Sequence, residues 1–152
     1  MSDAAALRDA TGADGVSVTA LDGGPRLSHN RGMPAFESAH LPTLAGFSPV
    51  QGVTMSPLAG EKAMINYIEL APGAVVPRHS HPHEQLGYVV SGSIALDIAG
   101  DVTVLGPGDG YTLAGGVEHS GTAGADGCVV VDVFAPVRED YRERAAEARR
   151  NA

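Results

Sequence analysis

The chain contains no tryptophan, one cysteine, and only 5% aromatic residues in 152. The lone Cys128 excludes a framework of intrachain disulfides. No apolar run approaches the roughly 20 residues that a membrane-spanning helix needs. Met1–Ala10 lacks the apolar core of a signal peptide, so a soluble cytoplasmic protein is the expectation. Basic residues are also scarce, 10 Lys and Arg against 18 Asp and Glu, for a formal net charge of −8. That balance argues against nucleic acid or an anionic membrane as partner, because both reward clustered cations. What is abundant is glycine, 20 residues, together with 10 prolines. Such a composition suits many tight turns between short strands, in a chain long enough for one domain with a real core.

The most informative stretch is Gly73 to Gly92, GAVVPRHSHPHEQLGYVVSG. His79, His81, His83 and Gln85 recur at every second position. Alternate side chains of an extended strand share a face, so His79 and His81 can aim two imidazoles at one point. Pro82 interrupts the ladder and leaves the facing of His83 undetermined. Two imidazoles with an oxygen donor just downstream suit a transition metal on a β scaffold.

The stretch resembles the first motif of the cupin family: glycine, five residues, His-x-His, usually a glutamate, and a closing glycine. Gly73, His79, His81 and Gly92 fall in register, and Gln85 stands in the glutamate slot. A second cupin motif is similar to Gly108–His119, with Gly108, Gly116 and His119 matching. Ala114 and Ala123 stand where that motif usually has proline and asparagine. The resemblance implies a jelly-roll barrel and a metal held by His79, His81, Gln85 and His119.

Every donor in that set is neutral. A glutamate would cancel one unit of the metal's charge, whereas Gln85 leaves the dication exposed and favours an anionic ligand. Gln85 could instead hydrogen-bond a metal-bound water. Three histidines and a glutamine would accept Zn, Ni, Co, Mn or Fe.

The remaining chain fits an all-β fold. Val50–Met55, Ala63–Leu70, Val75–His81, Val102–Leu105, Tyr111–Leu113 and Cys128–Phe134 read as strands, with Leu86–Val90 and Ile94–Ile98 as a hairpin around Ser91-Gly92-Ser93. Their spacing predicts an antiparallel sandwich or barrel. Residues 138–150 predict a surface helix with Tyr141, Ala145 and Ala148 on one stripe and an Asp140/Arg144 pair. The expected organisation is an arm over 1–46, a barrel over 47–137 and a helix over 138–152. In the arm, Val16–Leu21 alternates like a strand added to a sheet edge or exchanged with a second subunit, which makes a homodimer the expected assembly. His29 and His40 have no ligand-like neighbours and read as surface residues.

On the last strand, Cys128, Val130, Asp132 and Phe134 share one face, and Val129, Val131 and Val133 the other. Asp132 is then expected to face the barrel interior, where a bare carboxylate is costly unless paired or functional; the alternative is a solvent-facing aspartate on an edge strand.

A narrower resemblance joins HSHPHEQ, GYVVSG and VDVFAPVREDY to the KdgF family of cupins. These convert 4,5-unsaturated uronates from pectin and alginate breakdown to linear ketonised sugars. The resemblance implies catalytic roles for Asp132 and Arg138, with Arg138 also clamping a substrate carboxylate. Phe134 and Tyr88 are assigned as further substrate contacts. The expected function is metal-dependent isomerisation or lyase chemistry on a small anionic, enolisable substrate. An Fe(II) dioxygenase and a non-catalytic small-ligand binder are the alternatives.

Overall fold

The computed structural model describes residues 36–152. The Val16–Leu21 strand and His29 lie outside the described residues. Among those described, β1 (Val53–Ala59), β2 (Met64–Leu70), β3 (Val75–His79), β4 (Glu84–Ile98), β5 (Asp101–Leu105), β6 (Gly110–Leu113) and β7 (His119–Ala135) are followed by α1 (Glu139–Asn151). All pairings are antiparallel, in the order β1-β2-β7-β4-β5, with β3 joined to β7 and β6 to β4. This is the expected all-β jelly-roll barrel with a short C-terminal helix.

The long strands β4 and β7 pair with each other along most of their length and carry the architecture. The first half of β4 also holds β6, and its second half holds β5. The predicted hairpin is therefore incorrect: Leu86–Val90 and Ile94–Ile98 are two halves of one strand. Ser91-Gly92-Ser93 marks a place where the register with β7 shifts, from Val89 to Ser91 and again from Gly92 to Ile94. Glycine serves a bulge as well as a turn, and a barrel needs bulges to bend its strands. Gly92 has φ +72°, and a Cβ there would lie 2.0 Å from the carbonyl oxygen of Gly127. Gly92→Ala should therefore lower stability by about 3 kcal/mol, combining left-handed strain with backbone overlap. Urea unfolding would show a lower midpoint at unchanged slope; an unchanged midpoint would refute the close approach.

β7 also starts at His119, nine residues before the expected Cys128. Its first half, HSGTAGADG, has turn-like composition, but pairing with β3 and β4 overrides that local preference. Pro57 is tolerated inside β1 because that strand forms the edge of the sheet.

Inward positions alternate as the sequence requires. Met55, Ile68, Val89, Leu96, Val130 and Phe134 are buried in one core. On β7, Cys128, Val130, Asp132 and Phe134 are buried while Val129, Val131 and Val133 are half-buried on the outer face.

Helix α1 lies at one end of this core. Tyr141 and Ala145 are its buried residues, and Ala148 is half-buried. The Tyr141 ring meets Phe47 at 5.3 Å and Phe134 at 5.7 Å, both edge-on. Burial of that ring alone contributes about 2 kcal/mol to docking the helix. The Asp140/Arg144 pair does not form. Asp140 takes Arg138 instead, and Arg144 stacks over Phe47 at 4.2 Å. No described helix is long and apolar enough to cross a membrane.

Candidate metal centre

Three histidines converge where β3 ends and β7 begins. His79 and His119 are directly paired across these strands, with ring centroids 4.3 Å apart. His81 follows β3 and brings its ring within 5.0 Å of His119. One ligand atom from each of the three lies within 4.8 Å of the others.

The same device orients all three rings. Nδ1 of His79 donates to the carbonyl of Pro77 at 2.8 Å, and Nδ1 of His119 to that of Val117 at 2.8 Å. Nδ1 of His81 faces the carbonyl of His83 at 3.1 Å. A carbonyl only accepts, so each Nδ1 must carry the proton, which leaves Nε2 with a lone pair facing its neighbours.

Gln85 completes the set from β4. Its Nε2 donates to Asp132 Oδ2 at 2.9 Å, which turns Oε1 towards His81 Nε2 at 3.0 Å. Burial, and then the nearby Arg138 cation, lower the pKa of His81 to about 4. The ring is therefore neutral at pH 7 and has one N–H, yet it faces two acceptors, His83 O and Gln85 Oε1. One of these contacts has no proton to share. Lone pairs directed at one another in this way are satisfied by a cation, so the donor set fits a divalent metal ion. His119 is also held below its ordinary pKa, mainly by burial. His83 is not in the cluster; it contributes its backbone carbonyl, while its ring stands 5.7 Å from that of His81.

Asp132 is buried and lies between two donors. Gln85 Nε2 reaches Oδ2, and the Tyr111 hydroxyl donates to Oδ1 at 2.6 Å. Burial raises its pKa to about 7, against the opposing pull of these two hydrogen bonds. Its neutral partners differ from the cation that a buried carboxylate would ordinarily demand. Burial and then the adjacent carboxylate push the Tyr111 phenol well above its ordinary range.

Arg138 enters from the start of α1. Asp140 holds it by two hydrogen bonds, from Nε at 3.2 Å and from Nη2 at 2.8 Å. Its guanidinium carbon lies 3.8 Å from the centre of the Tyr141 ring. Nη1 is buried and has no hydrogen-bond partner among the described residues. Arg138 lines the same cavity as His79, Gln85, Tyr111, His119 and Asp132, with Phe134 in its wall.

The structure thus brings together seven of the eight residues expected to form the site. The exception is Tyr88. It lies one position out of phase with Gln85 and Gly87, so it points to the outer face opposite Val131, 52% exposed, and does not line the cavity. His40 is exposed, as expected of a surface residue.

Four residues escaped sequence reasoning: Tyr111, Asn66, Asp140 and Tyr141 in its stacking role. Asn66 stands directly opposite Asp132 on β2, is fully buried, and has no side-chain hydrogen bond among the described residues. A signal for Tyr111 existed in Gly87, since a glycine inside an apolar strand marks a close approach.

The cupin-domain family model matches residues 66–134. The curated pectin degradation protein KdgF of Dickeya dadantii (strain 3937) is 33% identical over 79 residues, which cover 51% of this chain and 72% of that protein. This chain is a cupin. Among solved structures, KdgF from Halomonas sp. is similar at 29% identity and TM-score 0.59, over 62% of this cupin and 88% of that chain. An RmlC-like cupin from Shewanella frigidimarina NCIMB 400 is similar at 27% identity and TM-score 0.63, over 68% of this cupin and 93% of that chain. The fold, the family and a histidine cluster suited to a divalent ion agree with one another.

Proposed function

We propose that this cupin is a metal-dependent enzyme that moves a proton on a small carboxylated, enolisable substrate, in the manner of the ketonisation of unsaturated uronates. The observation that carries this reading is one cavity shared by a buried carboxyl, a guanidinium whose Nη1 has no partner among the described residues, and two of the three clustered histidines, His79 and His119. His79, His81, His119 and Gln85 would hold the ion. A divalent ion there would supply Lewis acidity towards a substrate oxygen.

Each of the other groups has a task of its own. Arg138 offers Nη1 to a substrate carboxylate, and its hold by Asp140 and Tyr141 limits the entropy lost when that bond forms. Asp132, with a pKa of about 7, can hold a proton or release it near neutral pH, which suits transfer at a substrate carbon. Phe134 gives the apolar wall against which a ring or chain packs. The enclosed space is about 60 Å³, so it takes the reacting end of the substrate while the remainder occupies the mouth. The similarity to two KdgF proteins supports an unsaturated uronate as the first substrate to try.

The test is loss of the ultraviolet absorbance of a 4,5-unsaturated uronate, with protein of measured metal content. Wild type should consume it, and a chelator should stop the reaction. Arg138→Met should raise KM by roughly 10- to 100-fold, the loss of a charge-assisted pair, with a smaller effect on kcat. An unchanged KM would remove Arg138 from substrate binding. No turnover of any enolisable uronate by metal-loaded protein would refute the reading.

A further inference from the structure

We propose that Tyr111 is a positioning residue that, through Asp132, fixes which end of the Gln85 amide faces the three histidines. The inference rests on the reading of the cluster as a metal site. A glutamine presents two ends of nearly equal shape, and only the oxygen can ligate a cation. The histidines do not select between the ends, because their Nε2 lone pairs would accept a hydrogen bond from an amide N–H. Selection comes from behind, where Asp132 Oδ2 accepts from Gln85 Nε2 at 2.9 Å.

Asp132 can do this only if its carboxylate is held in one rotamer, and the Tyr111 hydroxyl does the holding. It donates to Oδ1 at 2.6 Å and thereby reserves Oδ2 for the amide. Tyr111, Gly87 and Asp132 form one row across β6, β4 and β7. With strands roughly 4.8 Å apart, the phenol must cross about 10 Å of sheet to reach the carboxylate. It does so over Gly87, where a Cβ would lie 2.0 Å from Tyr111 Cζ and 2.4 Å from its hydroxyl oxygen. Gly87 and Tyr111 therefore act as one device. The arrangement also places a carboxylate one hydrogen bond behind a neutral ligand, so the charge that a glutamate would have brought is set back one residue.

Tyr111→Phe keeps the ring over Gly87 and removes only the hydroxyl. Two readouts are taken, both independent of turnover. In metal-free protein, the Gln85 side-chain amide protons, identified by their absence in Gln85→Glu, should exchange with solvent at least about tenfold faster in Tyr111→Phe. Titration calorimetry with zinc alone should show affinity about tenfold weaker, the usual scale for a group supporting a ligand. In a Gln85→Glu background, where both ends of the side chain are oxygen, the same substitution should change zinc affinity less than about twofold on that scale. Equal losses in both backgrounds would mean a general structural effect and overturn the proposal, as would unchanged amide exchange. If wild type binds no zinc or other divalent ion, the metal reading fails; if it binds and Tyr111→Phe binds equally well, only this proposal fails.

Discussion

Asp132→Asn is expected to abolish turnover, by roughly 10²- to 10⁴-fold, while metal content stays near that of wild type. The amide has the shape of the carboxyl: its one oxygen can still accept from Gln85 Nε2, while its N–H donates to the Tyr111 hydroxyl oxygen, which keeps both neighbours in place. What it cannot do is bind and release a proton. Kinetics beside elemental analysis of the same sample decide the matter, and normal activity would remove Asp132 from the chemistry.

The same variant should be more stable than wild type in metal-free protein at alkaline pH. The Asp132 carboxyl ordinarily titrates near 3.8 and in the fold near 7, because burial disfavours its anion. Between those values the folded state holds a proton that the unfolded state has lost. Stability therefore falls as pH rises from about 4 to about 7 and stays low above that. The uncharged amide of Asp132→Asn escapes this penalty. Its advantage should be absent near pH 4 and reach on the order of 2 kcal/mol at pH 8, after its weaker hydrogen bonds are subtracted. Urea unfolding at the two pH values, with chelator present, measures it. An advantage that is equal at both would show that Asp132 is not held protonated.

His119→Ala should eliminate metal-dependent stabilisation. With zinc at 100 times its dissociation constant, wild type should gain about 2.7 kcal/mol, which for a domain of this size raises Tm by roughly 5–10 °C. A site weakened a hundredfold would gain only about 0.4 kcal/mol at the same zinc concentration. His119 is the ligand whose loss should cost most, because it faces both other rings and is paired with His79 across β3 and β7. A zinc-dependent rise in Tm that persists in His119→Ala would place the metal elsewhere.

The charge argument built on Gln85 is altered by its surroundings. From sequence the neutral ligand leaves a dication uncompensated. In the fold Asp132 is hydrogen-bonded to that amide, so part of the compensation is present whenever Asp132 is ionised. The proposed preference for an anionic substrate then rests more on Arg138, whose Nη1 has no hydrogen-bond partner among the described residues, than on Gln85 alone.

By itself the sequence determined whatever depends on parity along a strand or periodicity along a helix. Asp132 is buried because Val129, Val131 and Val133 occupy the other face of β7. Tyr141 and Ala145 are buried because they lie one helical turn apart. The expected strand Val75–His81 ends instead at His79, so the convergence of His81 with His79 comes from the backbone beyond β3 and not from strand parity. Tertiary structure alone decided whatever depends on which strand lies beside which. Gln85 and Asp132 meet across 47 positions, and Tyr111 reaches Asp132 across 21, only because β4 runs between β6 and β7. Ser91-Gly92-Ser93 has the composition of either a turn or a bulge, and pairing with β7 selected the bulge. Parity is local, whereas register is a choice among distant partners made by the packed barrel as a whole.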